Sequence, residues 1–366
     1  MSPEATNTRL VRVLVADDSA FMRTAITRMI ESDPGLRVIG SAQTGHEAID
    51  KIVALNPDVV TLDVEMPGMN GLDALRHIMK QCPVPVIMVS SLTQEGAEVT
   101  LEALDIGAFD YVPKQSSFVS LDIVKIRDDL IAKVKAAAES NKKRPVARVT
   151  APALHAHSVL LATPKVASTV VALGTSTGGP KALQEILPLL PADLQVPVLV
   201  VQHMPVGFTG PFARRLDGIC KVTVREAIQE EELQPGIVYI APAGQHMTVY
   251  RRGTSKVALR LGRTPEGMLH MPSVDVMMLS VAEVFRSQTL GVIMTGMGAD
   301  GVKGMESIKR EGGFNLGQDE PSCTVYGMPR SAAEANVLHR VVPLQQIPEQ
   351  ILQITRYKPR GERASV

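Results

Sequence analysis

The chain has no tryptophan, and only 3% of its 366 residues are aromatic. That scarcity argues against the stacked aromatic platforms that hold single-stranded nucleic acid. An excess of charge is missing too: 38 basic side chains face 38 acidic ones. A balanced chain exerts no long-range pull on nucleic acid or on an anionic membrane surface. Cysteine is rare. Cys82, Cys220 and Cys323 are odd in number and far apart, with neither a disulfide framework nor zinc-ligand spacing, which fits a reducing cytoplasm. Long hydrophobic runs are absent as well. Asp17 and Asp18 interrupt the apolar run near the start, so no signal peptide is expected there. The uncharged stretch 166–180 is too short and too rich in Gly, Ser and Thr to cross a bilayer. A nucleic-acid partner and direct membrane insertion are therefore not expected. Apolar residues make up 45% of the chain, enough for real cores, and its length suits about two domains.

What is present is a regular alternation. Over the first third, apolar runs predict strands at 10–16, 36–40, 58–62, 84–89 and 109–112. Between and after them, three-and-four apolar spacing predicts helices at 21–30, 46–55, 71–79, 97–106 and 121–138. Such βα alternation implies a parallel sheet covered on both faces, with its site beyond the carboxyl ends of the strands. Polar residues collect at those ends: Asp17 and Asp18 after strand one, Asp63 after strand three, Ser90 after strand four, Lys114 after strand five. Clustered carboxylates repel and call for a cation, and an all-oxygen set suits Mg²⁺. With that charge and Lys114 beside it, Asp63 can take a phosphoryl group as an acyl phosphate. Each residue alone is more simply a cap or turn; five on one rim favour a site.

The stretch 170–180, Val-Val-Ala-Leu-Gly-Thr-Ser-Thr-Gly-Gly-Pro, predicts a buried strand, a sharp turn and a helix from 181 to 190. Gly174-x-Ser176-x-Gly178 fits a nucleophile elbow, where small neighbours let a serine hydroxyl stand clear. The plainer alternative is that Ser176 or Thr177 caps the helix. Further strands are predicted at 196–201, 221–225, 237–241, 247–251, 257–261 and 290–294, with helices at 208–216, at 274–285 and from about 302. Ser176, His203 and Asp300 follow three of the apolar strands and should project from one sheet edge. A serine needs a base, histidine titrates near neutrality, and an aspartate can hold the histidine's other nitrogen. His246 and His270 are the alternative bases. Backbone N–H groups of Thr177 and Met297 are the expected oxyanion donors. Gly296-x-Gly298-x-x-Gly301 also fits a dinucleotide fingerprint, but Asp300 would there repel a pyrophosphate. No cofactor is expected in this second site.

Between the halves periodicity fails. Lys142, Lys143, Arg144 and Arg148, with prolines at 145, 152 and 164, predict a solvated connector over 138–165. His155-x-His157 within it lacks a third metal ligand.

The motifs carry two resemblances. Val13-Leu-Val-Ala-Asp-Asp-Ser-Ala20, Thr61-Leu-Asp-Val-Glu-Met-Pro-Gly-Met-Asn-Gly71, Met88-Val-Ser-Ser91 and Asp110-Tyr-Val-Pro-Lys114 resemble a receiver domain of two-component signalling. The resemblance implies a flavodoxin-like (βα)5 fold with Asp63 as phospho-acceptor. It implies that Asp18, Asp63 and the Glu65 carbonyl bind Mg²⁺ and that Asp17 completes the acidic pocket. Ser90 would bond the phosphoryl oxygens, and Tyr111 would be the aromatic that changes position. Pro113 precedes Lys114, where many receivers carry a proline after the lysine.

Gly174-Thr-Ser-Thr-Gly-Gly-Pro180, Gln202-His-Met-Pro205, Ile240-Ala-Pro-Ala-Gly-Gln-His246, Ser273-Val-Asp275 and Thr295-Gly-Met-Gly-Ala-Asp-Gly301 resemble the catalytic domain of chemotaxis protein-glutamate methylesterases. This second resemblance implies a Rossmann-like parallel-sheet hydrolase with Ser176, His203 and Asp300 as its triad. It implies cytoplasmic helices of methyl-accepting chemoreceptors as substrate, a chemotaxis histidine kinase as phosphodonor, and glutamine deamidation as a second activity. The expected organisation is α/β, with two doubly wound domains: a receiver over 1–137, the connector, and a hydrolase over 166–360. A receiver that covers the Ser176 cleft until phosphorylated follows from the fusion. The rivals are a receiver with a binding-only output, and a receiver–oxidoreductase fusion using the Gly296 loop. A DNA-binding output is weaker, since no compact helix-turn-helix ends the chain.

Overall fold

The computed structural model describes residues 9–91, 93–114, 122–142, 164 and 166–359. Its chain divides into two compact units, Met1–Thr150 and Ala151–Val366. Most of the expected connector, with His155 and His157, lies outside the described residues.

The first unit alternates without exception: β1 (Val11–Ala16), α1 (Ala20–Glu31), β2 (Leu36–Ala42), α2 (Gly45–Leu55), β3 (Val59–Asp63), α3 (Gly71–Gln81), β4 (Val86–Ser91), α4 (Gln94–Ile106), β5 (Asp110–Lys114) and α5 (Asp122–Lys142). Its five strands are parallel in the order β2-β1-β3-β4-β5, the flavodoxin-like arrangement. Val13, Leu14, Val15, Val59, Val60 and Leu62 are wholly buried, as strands covered on both faces must be. Side-chain caps fix the helix starts: Ser19, Thr44, Asn70 and Thr93 each accept an amide N–H from the first turn. Pro113 lies inside β5, which reaches two residues past the predicted end. Since β5 is an edge strand, a missing N–H is tolerated there. Helix α5 continues to Lys142, four residues beyond its predicted end and into the stretch expected to open the connector.

The second unit runs β6 (Val170–Thr175), α6 (Gly179–Ile186), β7 (Val198–Gln202), α7 (Thr209–Ile219), β8 (Thr223–Glu226), β9 (Ile237–Ile240), β10 (His246–Arg252), β11 (Lys256–Gly262), α8 (Val274–Phe285), β12 (Thr289–Ile293), α9 (Val302–Arg310), β13 (Phe314–Gln318), α10 (Met328–Glu334), β14 (Arg340–Val342) and α11 (Ile347–Ile354). Seven strands form a parallel sheet in the order β14-β13-β12-β6-β7-β9-β8, while β10 and β11 make a separate antiparallel hairpin. The chain enters at β6 and winds first one way and later the other. The switch point therefore lies between β6 and β12, where doubly wound sheets open a crevice. The elements after α9 carry no clear sequence pattern. In β13, Asn315 and Gln318 break the apolar run although both are fully buried. The Asn315 Nδ2 donates to the Met305 and Val337 carbonyls at 2.7 and 3.0 Å, so β13 is a core strand without a core-strand composition.

Candidate active site

In the first unit the rim of β1, β3 and β5 gathers the predicted residues. Asp17, Asp18 and Asp63 bring ligand oxygens within 4.8 Å of one another. Asp17 and Asp63 are buried, and Asp18 is exposed. Lys114 Nζ lies 2.6 Å from Asp63 Oδ2 and 3.0 Å from Asp17 Oδ2. The Glu65 amide donates to Asp63 Oδ1 at 3.2 Å, turning the Glu65 backbone over the acid. Gly71 makes this turn possible: a Cβ there would stand 2.0 Å from the Asp63 carbonyl oxygen. Ser90 is buried, and its hydroxyl donates to the Gly96 carbonyl at 3.1 Å. Tyr111 is buried, with the Lys133 ammonium 5.3 Å from its ring centre. Burial, with the charge of Asp110, pushes its phenol far above the ordinary range.

Burial also raises Asp63, from the usual 3.8 to about 6; Lys114 pulls against this and the Asp17 charge reinforces it. Three carboxylates with one lysine are short of positive charge, and the all-oxygen donor set fits a hard divalent cation. A stability prediction follows. The folded value lies above the unfolded one, so the ionised side chain opposes folding. The penalty is absent below about pH 4, grows between 3.8 and 6, and is complete above. Without added divalent cation, Asp63→Asn should stabilise the first unit at pH 7.5 by about 1–3 kcal/mol. Urea melts should show the gain vanishing near pH 4.

In the second unit, β6 and β7 pair in register through Thr175 and Gln202. Ser176 and His203 are therefore adjacent strand-end residues, and the His203 amide donates to the Thr175 carbonyl at 3.2 Å. Asp300 comes from farther away. It lies seven residues past β12, not directly after it, in the loop before α9. It reaches His203 beside the start of α8. His203 Nε2 and Asp300 Oδ2 are 2.8 Å apart, and both side chains are nearly buried.

Asp300 is a cap, although not of the helix that follows it. Its Oδ2 also accepts the Val274 amide at 2.7 Å, and Oδ1 accepts the Asp275 amide and the Ser273 hydroxyl at 2.9 and 2.8 Å. These groups belong to the first turn of α8, whose positive end favours an anion. Burial alone would raise the carboxyl; the His203 contact and the α8 amides outweigh it and hold Asp300 well below the usual carboxylate range. An ionised Asp300 can only accept, so His203 Nε2 carries the hydrogen. In the neutral imidazole Nδ1 then carries the lone pair; Nδ1 is buried with no hydrogen-bond partner among the described residues, the Ser176 hydroxyl included. That is the state required of a base.

The alternative histidines are otherwise engaged. His246 is buried, accepts the Ser273 amide at Nδ1 and meets the Pro265 carbonyl at Nε2, each at 3.2 Å. His270 stacks on the His203 ring, centroids 3.9 Å apart and planes 13° from parallel. Of the expected oxyanion donors, neither the Thr177 nor the Met297 amide donates to a backbone carbonyl among the described residues, whereas the Ser176 amide is taken by the Thr295 carbonyl at 3.0 Å. The glycine fingerprint serves packing at its ends. A Cβ on Gly296 would stand 2.3 Å from Met328 Sδ, and one on Gly301 would stand 2.8 Å from Ile293.

Gln202 is a residue that strand-end reasoning passes over. Its buried amide donates to the carbonyls of Ser176 and His203, both at 3.0 Å, and so ties the two turns together. Gly179 lets it lie there: a Cβ would be 2.0 Å from Gln202 Oε1 and 2.4 Å from Thr175 Oγ1. Gly179→Ala should therefore cost about 1–3 kcal/mol of stability. It should also slow turnover on the order of 10–100-fold by shifting the serine turn. Thermal melts and an ester-hydrolysis assay on the same preparation check both.

Comparison with known proteins agrees with this division. Residues 171–351 match the CheB methylesterase family model, and residues 13–123 match the response regulator receiver domain. The chain is 46% identical over 94% of its length to a protein-glutamate methylesterase/protein-glutamine glutaminase of Oleidesulfovibrio alaskensis, covering 99% of that protein. It is 47% identical over 94% of its length to one of Geobacillus kaustophilus, again covering 99%. Among solved structures, the CheB methylesterase catalytic domain of Thermotoga maritima is 41% identical, with a TM-score of 0.50, covering 51% of this chain and 99% of that one.

Proposed function

The chain belongs to the protein-glutamate methylesterase/protein-glutamine glutaminase family, and from that premise we propose that Ser176, His203 and Asp300 carry its hydrolytic chemistry. The reaction is hydrolysis of glutamate methyl esters and deamidation of glutamines, under control of a phosphorylated receiver, in chemotactic adaptation. The substrates are methyl-accepting chemoreceptors, met at their cytoplasmic helices, and the phosphodonor is a chemotaxis histidine kinase. No helix among the described residues is long and apolar enough to cross a membrane.

The observation that carries the proposal is the Nε2–Asp300 bond, which leaves Nδ1 as the free ring nitrogen on the residue beside the serine turn. Ser176 Oγ attacks the ester carbonyl while His203 Nδ1 takes its proton. Amides of Thr177 and Met297 receive the oxyanion. The imidazolium, facing Asp300, returns the proton to departing methoxide, and methanol leaves an acyl-serine. A water then gives its proton to Nδ1 and attacks the acyl carbonyl, and the imidazolium passes that proton to Ser176 Oγ as the glutamate leaves. With glutamine, ammonia leaves in place of methanol.

In the receiver, Asp63 accepts the phosphoryl group. Asp17, Asp18, Asp63 and the Glu65 carbonyl would hold Mg²⁺, which supplies charge neutralisation. Ser90 and Lys114 bond the phosphoryl oxygens, and Tyr111 shifts with the Ser90 face to raise the population of active enzyme. The test measures methanol release from methylated receptor by the full chain, with and without a small-molecule phosphodonor and Mg²⁺. Release should rise with the donor in the wild type and not in Asp63→Asn. A donor response that survives in Asp63→Asn would refute the phospho-acceptor assignment.

A further inference from the structure

Two carboxylates at the second site exchange caps. Asp300 binds the first-turn amides of α8, as described. Asp275, the second residue of α8, sends its Oδ1 the other way, accepting the Gly301 and Gly304 amides at 3.0 and 2.9 Å. Gly301 is the N-cap of α9 and has no side chain to cap with; its φ is +105°. Asp275 does that work from another helix. The two acids are joined directly as well, through the Asp275 amide to Asp300 Oδ1. Asp275 is nearly buried. A buried acid this close to a second one raises the electrostatic cost of the site. Capping alone could be met more cheaply by Ser, Thr or Asn. What the arrangement achieves is register: the loop bearing Met297 and Asp300 is fastened at its far end to the same helix turn that grips the Asp300 carboxylate.

We propose that Asp275 is a positioning residue for the hydrolysis, holding the 297–301 loop so that Asp300 meets His203 Nε2 and the Met297 amide faces the oxyanion. The proposal rests on the Ser176–His203–Asp300 reading. It acts through hydrogen-bond acceptance, not through charge. Asp275→Asn, which keeps an Oδ1 acceptor for both amides, should retain at least about a third of wild-type kcat. Asp275→Ala should lower kcat on the order of 10–100-fold, the range for groups that orient a catalytic side chain, with KM changed less than about threefold.

The experiment uses the full chain and counts active sites with a serine-directed phosphonate, so that kcat is expressed per competent Ser176. A residue of merely structural importance would reduce the titrated fraction and the melting temperature and leave kcat per site intact. That outcome overturns the proposal, as does a loss that Asp275→Asn fails to restore. Should Asp275→Ala not fold, Asp275→Glu carries the test. It keeps the charge but displaces the acceptor by one methylene, so kcat should still fall at least about tenfold, and wild-type turnover refutes the idea. Asp300→Ala is assayed alongside. If that variant turns over normally, the triad reading has failed; if it is inactive while Asp275→Ala is normal, only the positioning role has.

Discussion

Ser176→Ala should lower methanol release by at least about 10⁴-fold while leaving the melting temperature nearly unchanged. The asymmetry has a structural basis. The turn that presents Ser176 is held by its backbone: its amide binds the Thr295 carbonyl, and its carbonyl accepts the Gly179 amide at 2.8 Å and the Gln202 side chain. None of these bonds uses the hydroxyl. Removing Oγ would delete the proposed nucleophile from an intact frame, and the activity left would be the contribution of the proposed oxyanion donors and substrate binding. The check is initial-rate methanol release against a thermal melt of the same sample. Loss of less than about tenfold would assign the chemistry to another group.

Asp300→Ala has a different expected signature, because in the proposed triad that side chain serves chemistry and architecture together. Turnover should fall on the order of 10³–10⁴-fold, since His203 loses the partner that fixes its tautomer. Stability should fall as well, by about 3 kcal/mol, because the Val274 and Asp275 amides and the Ser273 hydroxyl all lose a buried acceptor. The pH dependence distinguishes this from a simple packing defect. Asp300 is held below its unfolded value near 3.8, so its stabilisation is complete above that pH and fades as pH drops toward the depressed folded value. Denaturant midpoints of wild type and variant should accordingly be well separated at pH 7 and converge below about pH 4.

Much of this was legible because parallel sheets put their chemistry where an apolar run stops. Ser176 and His203 stand directly after the buried strands β6 and β7, which the sheet pairs in register. Asp17 and Asp63 are readable in the first unit for the same reason, following buried Val-rich strands. Residue type and motif mark Asp300 in the sequence, but its route to His203 leaves no such mark, since it depends on α8, a helix from another part of the sequence. Gln202, Asp275 and the His203–His270 stack leave fainter traces: each acts through backbone groups or ring faces, which impose no periodicity. The strands after α9 leave little pattern because their buried positions hold Asn315 and Gln318, polar residues whose partners include Met305, Val337 and Thr295, which no local periodicity marks. The end of α5 shows the opposite failure, where the polar run Glu139-Ser-Asn-Lys142 suits a solvated spacer as well as the last turn of a helix.

Pro113 has a consequence for the outer edge of the first sheet. The outermost strand of an open sheet is ordinarily an invitation to a foreign segment, which can extend the ladder amide by amide. A visitor laid along β5 would find no hydrogen to accept at 113, one position from the lysine paired with Asp63. Intermolecular zippering along that border is thereby discouraged, and recognition there is left to side chains.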